Sequence, residues 1–128
     1  MICLDSNVII DFLKGKKEAV EIIKKHQNKI ITTEITAFEV LFGIFIKQKL
    51  NERENAKEFF DSLEVLAFDQ GCAKISAEIM VSSIKSGFTI DQNDCFIAGI
   101  MIKNGINEII TKNVKHFSKI KGLKAINY

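Results

Sequence analysis

The chain has 128 residues, of which 47% are hydrophobic and 27% charged, and its formal net charge is +2. A chain of this length and composition folds around a sizeable core and is not disordered, so we expect residues 1–128 to form one domain. The small net charge does not by itself indicate a polyanionic partner, and no apolar stretch is long enough to span a membrane, so we expect no membrane partner.

The first predicted strand is a short apolar run, Ile2–Leu4, which ends at Asp5 and leads into a predicted helix. In an open parallel sheet, ligands bind beyond the carboxyl ends of the strands, and Asp5 would lie at such an end. The alternative is that Asp5 or Ser6 merely caps the first helix. This stretch alone favours neither interpretation.

Helices and strands are predicted to alternate along the rest of the chain. Helical spacing predicts helices over 18–27, 33–48, 70–86 and 92–104, and an amphipathic helix through 59–63 that follows a charged turn over 47–54. Short apolar runs predict strands over 29–32, 64–68, 108–111 and 123–126. This alternation predicts an α/β fold with three α/β/α layers around a central parallel sheet of about five strands.

Glu39 lies on the most apolar of the predicted helices, on the same side as Thr36 and within a sector of roughly 120°. It is the only acid between Glu34 and Glu52. An ionised carboxylate among apolar residues is costly unless it is paired or bound to a metal. We therefore favour a functional acid over a glutamate on a narrow exposed stripe.

A third candidate acid lies at the start of the helix over 92–104, where either Asp91 or Asp94 could cap the helix and face a site. Asp91 more naturally takes the N-cap position, and Asp94 projects from the first turn. The helix dipole favours carboxylates at both positions, so capping alone explains either acid.

The three cysteines, Cys3, Cys72 and Cys95, are odd in number and include no C-x-x-C pair. They predict neither a disulfide framework nor a thiolate metal site. We expect them to be small buried hydrophobic residues of a protein in a reducing cytoplasm.

Four segments in order resemble the PIN-domain ribonucleases, specifically the VapC-type toxins of prokaryotic toxin–antitoxin pairs. The segments are LDSNVIID at 4–11, TEITAFEVLFG at 33–43, IDQNDCFIA at 90–98 and TKNVKHF at 111–117. Each is weak alone, but four at matching spacing are specific. The resemblance implies a PIN-like, Rossmann-like fold and identifies Asp94, rather than Asp91, as the site acid.

The resemblance implies a ribonuclease that hydrolyses RNA phosphodiester bonds with Mg²⁺ or Mn²⁺. The implied catalytic acids are Asp5, Glu39 and Asp94, with Asp5 and Asp94 as metal ligands; hard oxygen ligands without His or Cys agree with these ions. The implied substrate or positioning residues are Ser6, Asn7, Thr36, Thr111, Asn113, Lys112 and Lys115, although Thr36 could instead bond to its own helix. Three clustered carboxylates repel, so we expect raised pKa values without metal.

One residue departs from the family pattern. Many members have a fourth acid where this chain has Asn113, which leaves occupancy of a second metal position open. A catalytically silent PIN-like module that binds RNA or a protein is therefore an alternative function. His116 is interpreted as a structural residue, since the metal scheme needs no histidine base.

Two other classes are disfavoured. A flavodoxin-like phospho-acceptor domain needs paired acids after its first strand, which the segment at 5–6 does not supply. A nucleotide-binding Rossmann domain needs a glycine-rich loop that is absent. The helix over 35–46 is apolar almost all round, which indicates an interface; the resemblance implies a homodimer and a groove for a small antitoxin protein.

Overall fold

The computed structural model describes residues 1–128, and five short strands in it form one sheet. The strands are β1 (Ile2–Leu4), β2 (Ile30–Thr33), β3 (Glu64–Leu66), β4 (Glu108–Ile110) and β5 (Lys124–Ile126). All neighbouring pairs are parallel, and the order across the sheet is β3-β2-β1-β4-β5. The predicted α/β class with a five-stranded parallel sheet is confirmed.

Seven helices connect and flank the strands. They are α1 (Ser6–Leu13), α2 (Lys17–Lys25), α3 (Glu34–Lys47), α4 (Leu50–Asp61), α5 (Cys72–Lys85), α6 (Gln92–Lys103) and α7 (Val114–Phe117). No helix of the protein combines the length and hydropathy needed to cross a bilayer.

Two hydrophobic clusters cover opposite faces of the sheet, because successive strand residues point to opposite sides. Leu4 and Ile110 belong to the cluster under α1, α2, α3 and α4, whereas Cys3 and Ile109 belong to the cluster that includes residues of α6 and α7. The predicted three-layer arrangement is confirmed. All three cysteines are buried and unpaired, as expected.

Two local predictions are wrong. The predicted turn over 47–54 is confined to the residues around Gln48, whose φ is +56°, and α4 already begins at Leu50. Glu52, Arg53 and Glu54, which suggested a turn, lie in the first turns of α4, since Glu and Arg are good helix formers. The short helix α7 was not predicted, since four residues are too few to show a helical period. The other helices and strands whose first and last residues were predicted begin and end within two residues of the predicted positions.

The strand order creates a switch point at the middle of the sheet. From β1 the chain crosses to β2 on one side, and it later returns to β4 on the other side of β1. The Asp5 N–H donates to the Ile110 carbonyl at 3.1 Å, which extends the pairing of β1 with β4 by one residue. Such a point leaves a crevice beyond the carboxyl ends of the strands, where ligands of α/β proteins bind.

Gly99 lets α6 lie close against α5. A Cβ at Gly99 would lie 2.0 Å from Ser76 Oγ and 3.0 Å from the Cys72 carbonyl oxygen. The first distance is far below van der Waals contact, and the second partner is backbone that cannot rotate away. The helix that presents Asp94 is therefore positioned by this close approach.

We expect Gly99→Ala to lower the free energy of unfolding by about 1–3 kcal/mol, because the methyl group overpacks the contact between α5 and α6. Urea unfolding followed by circular dichroism measures the change. Gly43→Ala is the matched control: Gly43 lies in α3, and a methyl group there would have no neighbouring atom within 4 Å, so helix propensity should leave stability unchanged or raise it by up to about 1 kcal/mol. Equal effects of the two substitutions would contradict the packing argument.

Candidate active site

Asp5 lies at the switch point and faces both its own helix and the neighbouring strand. It is 3% exposed, and it is the N-cap of α1. Its Oδ1 accepts a hydrogen bond from the Ser6 N–H at 2.8 Å, and its Oδ2 accepts one from the Thr111 hydroxyl at 2.6 Å. Asp5 therefore does both: its Oδ1 caps α1, and its Oδ2 faces the crevice beside β4.

Asp94 enters the crevice from the first turn of α6 and is 6% exposed. Its Oδ2 lies 2.6 Å from Asn113 Nδ2 and 2.8 Å from His116 Nδ1. Asp91 takes the N-cap position, as expected, but its side chain makes no capping hydrogen bond and is exposed. Ligand atoms of Asp91, Asp94 and His116 all lie within 4.8 Å of one another.

The segment after β4 connects the acids. The Thr111 hydroxyl, which donates to Asp5, accepts a hydrogen bond from the Asn113 N–H at 2.8 Å, and Asn113 in turn contacts Asp94. On the other side, Asn7 Oδ1 accepts a hydrogen bond from the Lys112 N–H at 3.3 Å. A few consecutive residues thereby fix the positions of two carboxylates that belong to distant parts of the chain.

Glu39 lies on α3, near enough to Asp5 and Asp94 for their charges to act on it; it is half-buried, and its Oε1 is buried without a hydrogen-bond partner. Burial, followed by the charge on Asp5, raises the pKa of Glu39 to about 7; the charge on Asp94 adds to this, and Asn93 and Ser6 lower it in part. The raised pKa and the unpartnered buried oxygen both mean that the ionised form of Glu39 is destabilised at this position.

The pKa values of Asp5 and Asp94 are also raised. Burial raises the pKa of Asp5, hydrogen bonds from Thr111 and Ser6 oppose the rise, and the charge on Asp94 adds to it. Burial also raises the pKa of Asp94, against the opposing contributions of His116 and Asn113. The expectation of raised pKa values is confirmed, with loss of water contributing more than mutual repulsion.

The pocket is chemically suited to a hard divalent cation. Asp5, Glu39 and Asp94 supply carboxylate oxygens, which are ligands that Mg²⁺ and Mn²⁺ prefer. The unpartnered Oε1 of Glu39 is the observation that supports the fit, since a buried carboxylate oxygen without a donor is what a cation would satisfy.

The remaining predicted residues divide into two groups. Ser6, Asn7, Thr111 and Asn113 contact the acids or the residues that hold them. Thr36 is buried, and its hydroxyl is 3.1 Å from that of Thr33, at the start of its own helix. The Thr33 hydroxyl donates this hydrogen bond, and a positioning role for Thr36 stays a prediction.

The two lysines also differ from each other. The Lys112 ammonium lies 3.9 Å from Asp11 Oδ2 and 4.8 Å from the centre of the Tyr128 ring. Lys115 is exposed and makes no ion pair. Lys115 is therefore the freer of the two to bind an anion.

Two residues of the pocket were not identified from the sequence. His116, interpreted from the sequence as a structural residue, lies next to the site acid, because its ring nitrogen is 2.8 Å from Asp94 Oδ2. Its spacing of three from Asn113 is the signal that pointed there, since such a pair shares one side of a helical turn. Asn93, which lies beside Glu39, precedes Asp94 and gave no separate signal.

Comparison with known proteins identifies a family whose model matches this chain, and several relatives of similar sequence. The family model described as PIN domain matches residues 2–123. The tRNA(fMet)-specific endonuclease VapC of Salmonella typhimurium is 28% identical over 94% of this chain and 92% of its own. Ribonuclease VapC3 of Methanocaldococcus jannaschii is 34% identical over 76% of this chain and 94% of its own.

Solved structures show the same fold. The crystal structure of VapBC2 from Rickettsia felis, bound to a DNA fragment from the promoter, matches with a TM-score of 0.88 and 23% identity over 100% of this chain and 99% of that chain. A toxin–antitoxin complex from Klebsiella pneumoniae matches with a TM-score of 0.81 and 19% identity over 98% of this chain and 96% of that chain.

We expect the metal-free protein to lose stability as the pH rises from about 4.5 to about 7. The folded chain keeps a proton on Glu39 up to about pH 7, whereas the unfolded chain releases it near the ordinary pKa of 4.5. Raising the pH across this window therefore favours unfolding. Because Glu39 is partly exposed, we expect a loss of roughly 2 kcal/mol, less than the full shift would give.

Urea unfolding with a chelator at several pH values between 4.5 and 7 measures this slope. Glu39→Gln should flatten it, since the neutral amide has no proton to release. Glu34→Gln, an exposed position in the first turn of the same helix, is the control that should keep the parental slope. A slope that is the same in all three proteins would exclude Glu39 as its cause.

Proposed function

The chain belongs to the PIN-domain family, and from this membership we propose that it is a divalent-metal-dependent ribonuclease, the toxin of a toxin–antitoxin pair. The observation that carries the proposal is the convergence of Asp5, Glu39 and Asp94, from three separate segments, on one partly dehydrated pocket at the switch point.

RNA is the proposed substrate because relatives are named for acting on it. The Salmonella relative is a tRNA(fMet)-specific endonuclease, and the archaeal relative is a ribonuclease. Within this chain, the exposed Lys115 lies beside the pocket on α7 and is suited to bind a backbone phosphate. We propose a similar but weaker role for Lys112, whose ammonium is partly held by Asp11.

We propose Mg²⁺ or Mn²⁺ as the cofactor, held by Asp5 and Asp94. A bound cation of this kind offsets negative charge on the phosphate and makes a nearby water molecule more acidic. The hydrogen bonds from Thr111 and Ser6 fix the Asp5 carboxylate, and those from the 113–116 segment fix Asp94. The two carboxylates therefore keep their orientation without rearranging when substrate binds.

We propose that Glu39 accepts the proton of the attacking water. Its Oε1 has no hydrogen-bond partner, so it has a lone pair free to accept a proton. The side chains of Ser6 and Asn93 lie beside Glu39 and hold its carboxylate toward the other two acids. The buried apolar residues below the pocket limit access of bulk water to one side.

We propose a homodimer whose interface lies on α3, together with a small antitoxin partner. Phe38 and Phe42 are 55% and 60% exposed, and their rings stack with centroids 5.8 Å apart. An exposed aromatic pair of this kind is typical of an interface. The antitoxin is supported by the fold shared with a toxin–antitoxin complex.

The proposal includes a location and a domain assignment. We propose a cytoplasmic protein, since three unpaired thiols fit a reducing compartment and cellular RNA is found there. We also propose that residues 1–128 form one PIN-like domain, because both hydrophobic clusters pack on the same sheet.

We expect Asp5→Asn and Asp94→Asn to reduce cleavage of RNA about 100-fold or more while the protein stays folded, because each removes a charged ligand of the cation. Purified protein is incubated with tRNA, rRNA and mRNA in Mn²⁺, and its melting is followed in parallel. Mn²⁺ should raise the melting temperature of the parental protein and raise that of the variants less, since the ion binds only the native state.

Asp61→Asn is the control for both measurements, since Asp61 lies on exposed α4 and pairs only with Lys57. A variant at Asp5 or Asp94 that cuts RNA at the parental rate removes that residue from the site. A parental protein that binds Mn²⁺ and RNA but never cuts would instead identify the catalytically silent module.

We expect Phe42→Asp to convert a dimer to a monomer in sedimentation velocity experiments, because a buried charge at the proposed interface has no partner. Ile84→Asp is the matched control: Ile84 is 58% exposed but lies on α5. Loss of the dimer in the Ile84 variant alone would move the interface to α5, and a monomeric parental protein would exclude the dimer.

A further inference from the structure

A cleft of about 390 Å³ lies between α5 and the loop that follows α7. The buried Ile90 and Ile120 give it an apolar floor, and Ser83 and Ser86 line it on the side of α5. Phe88 also lines the cleft and is half-buried, so part of its ring is accessible to solvent. A space of this size is in the range of small-molecule sites and is large enough for a nucleobase.

Phe88 connects this cleft with the proposed metal site. Its ring meets the His116 ring edge to face, with centroids 5.7 Å apart, and His116 Nδ1 is 2.8 Å from Asp94 Oδ2. Phe88 is therefore separated from a proposed cation ligand by one side chain. A base extends several ångströms from its own phosphate, so a nucleotide whose phosphate lies at the acids has a base within reach of Phe88.

The charged groups around the cleft favour a polyanion. The Lys119 ammonium lies 3.5 Å from the centre of the Phe88 ring. Lys119 and Lys121 are exposed, and neither pairs with a carboxylate. The one acid of the lining, Glu78, lies about two helical turns before Ser86 and so away from Phe88. A protein segment would also suit the apolar floor, but the unpaired lysines favour RNA.

We propose that this cleft binds a base of the RNA next to the cleaved phosphodiester bond, with the base stacked on Phe88 and the Lys119 ammonium on a backbone phosphate. A stacked base stabilises a complex more than an ammonium over a solvent-accessible ring does. The base therefore takes the ring face, and the phosphate attached to it attracts the displaced ammonium.

Phe88 is then a substrate-binding residue that sets which phosphodiester bond lies at the acids. Every base has a face that can stack on an aromatic ring, whereas an abasic site has none. This inference deepens the proposed function and depends on it for the RNA substrate.

Removal of single bases from a short RNA, combined with substitution of Phe88, tests the inference. The protein carries Asp5→Asn so that RNA is bound and not cut, and fluorescence polarisation measures the dissociation constant. We expect removal of one base, next to the bond that the parental protein cuts, to weaken binding about tenfold. With Phe88→Leu added, intact RNA should bind about as weakly, and removing the same base should have no further effect, because its stacking partner is absent.

Two matched variants control for the loss of a ring and of a charge. Phe60 is also half-buried but lies on α4, on the opposite face of the sheet, so Phe60→Leu should keep the full effect of base removal. Lys119→Ala should reduce the salt dependence of binding by about one ion contact. Lys74→Ala, at an exposed lysine of α5 outside the cleft, should not change it.

Phe88→Trp gives a second measurement that does not depend on the folding of the leucine variant. The chain contains no tryptophan, so this indole would be the only one, and a base stacked on it quenches its fluorescence. We expect quenching when intact RNA binds and none when the RNA lacks the identified base. Phe60→Trp should keep its fluorescence in both cases.

Base removal that weakens binding equally with and without Phe88→Leu would overturn the inference. RNA cleavage by the parental protein with no base position that matters would overturn it and leave the proposed function intact. A changed oligomeric state of Phe88→Leu without RNA, in sedimentation velocity experiments, would also overturn it by assigning the cleft to a protein contact. An effect of one base in a protein that never cuts RNA would support the cleft and overturn the proposed function.

Discussion

Three carboxylates lie close together at the switch point, only Asp94 among them has a basic side chain beside it, and the rest of the fold holds them there. Burial raises the pKa of Asp5, Glu39 and Asp94, and neighbouring carboxylates add to the effect, with Asp91 the one that acts on Asp94. The free-energy cost of burying these carboxylates is offset by packing elsewhere, chiefly in the two hydrophobic clusters on the faces of the sheet. The buried carboxylates lower the stability of the metal-free fold, and a cation that binds them would raise it again.

The topology explains why these acids meet. β1 is central, so the residue that follows it has neighbours on both sides, and the return of the chain to β4 brings the Thr111 hydroxyl to Asp5. The close approach of α6 to α5 at Gly99 then sets the height of Asp94 above the sheet. Each carboxylate is presented by a regular element or its first residue, so that its position is as rigid as the sheet and helices below it.

The strands, most of the helices and the three acids could be predicted from the sequence, but their arrangement in space could not. Apolar runs and helical spacing predicted five strands and the main helices, because burial on two faces leaves a periodic pattern. Strand order leaves no such local pattern, and the choice between Asp91 and Asp94 needed the family resemblance. Burial separates them, since Asp94 is 6% exposed and Asp91 is exposed. The predicted α4 was too short because an exposed, charged helical turn has the composition of a loop.

His116 was missed for a related reason. Its helix has four residues, too few for a period, and its partner Asp94 lies 22 positions earlier in the chain. Asn113 was noticed only as a missing acid, whereas its contacts with Asp94 and His116 depend on three-dimensional placement. The spacing of three between Asn113 and His116 indicated that these two side chains are neighbours, but a single sequence does not show that both contact Asp94.

The distance along the chain between Asp5 and its partner Thr111, 106 positions, bears on when the protein becomes active. The ribosome makes β1 first, and it makes β4 and the segment at 111–116 about a hundred residues later. Until then Asp5 lacks its donor and Asp94 lacks its support. A nascent or prematurely terminated chain that lacks this segment therefore cannot hold the two carboxylates in the arrangement of the folded protein.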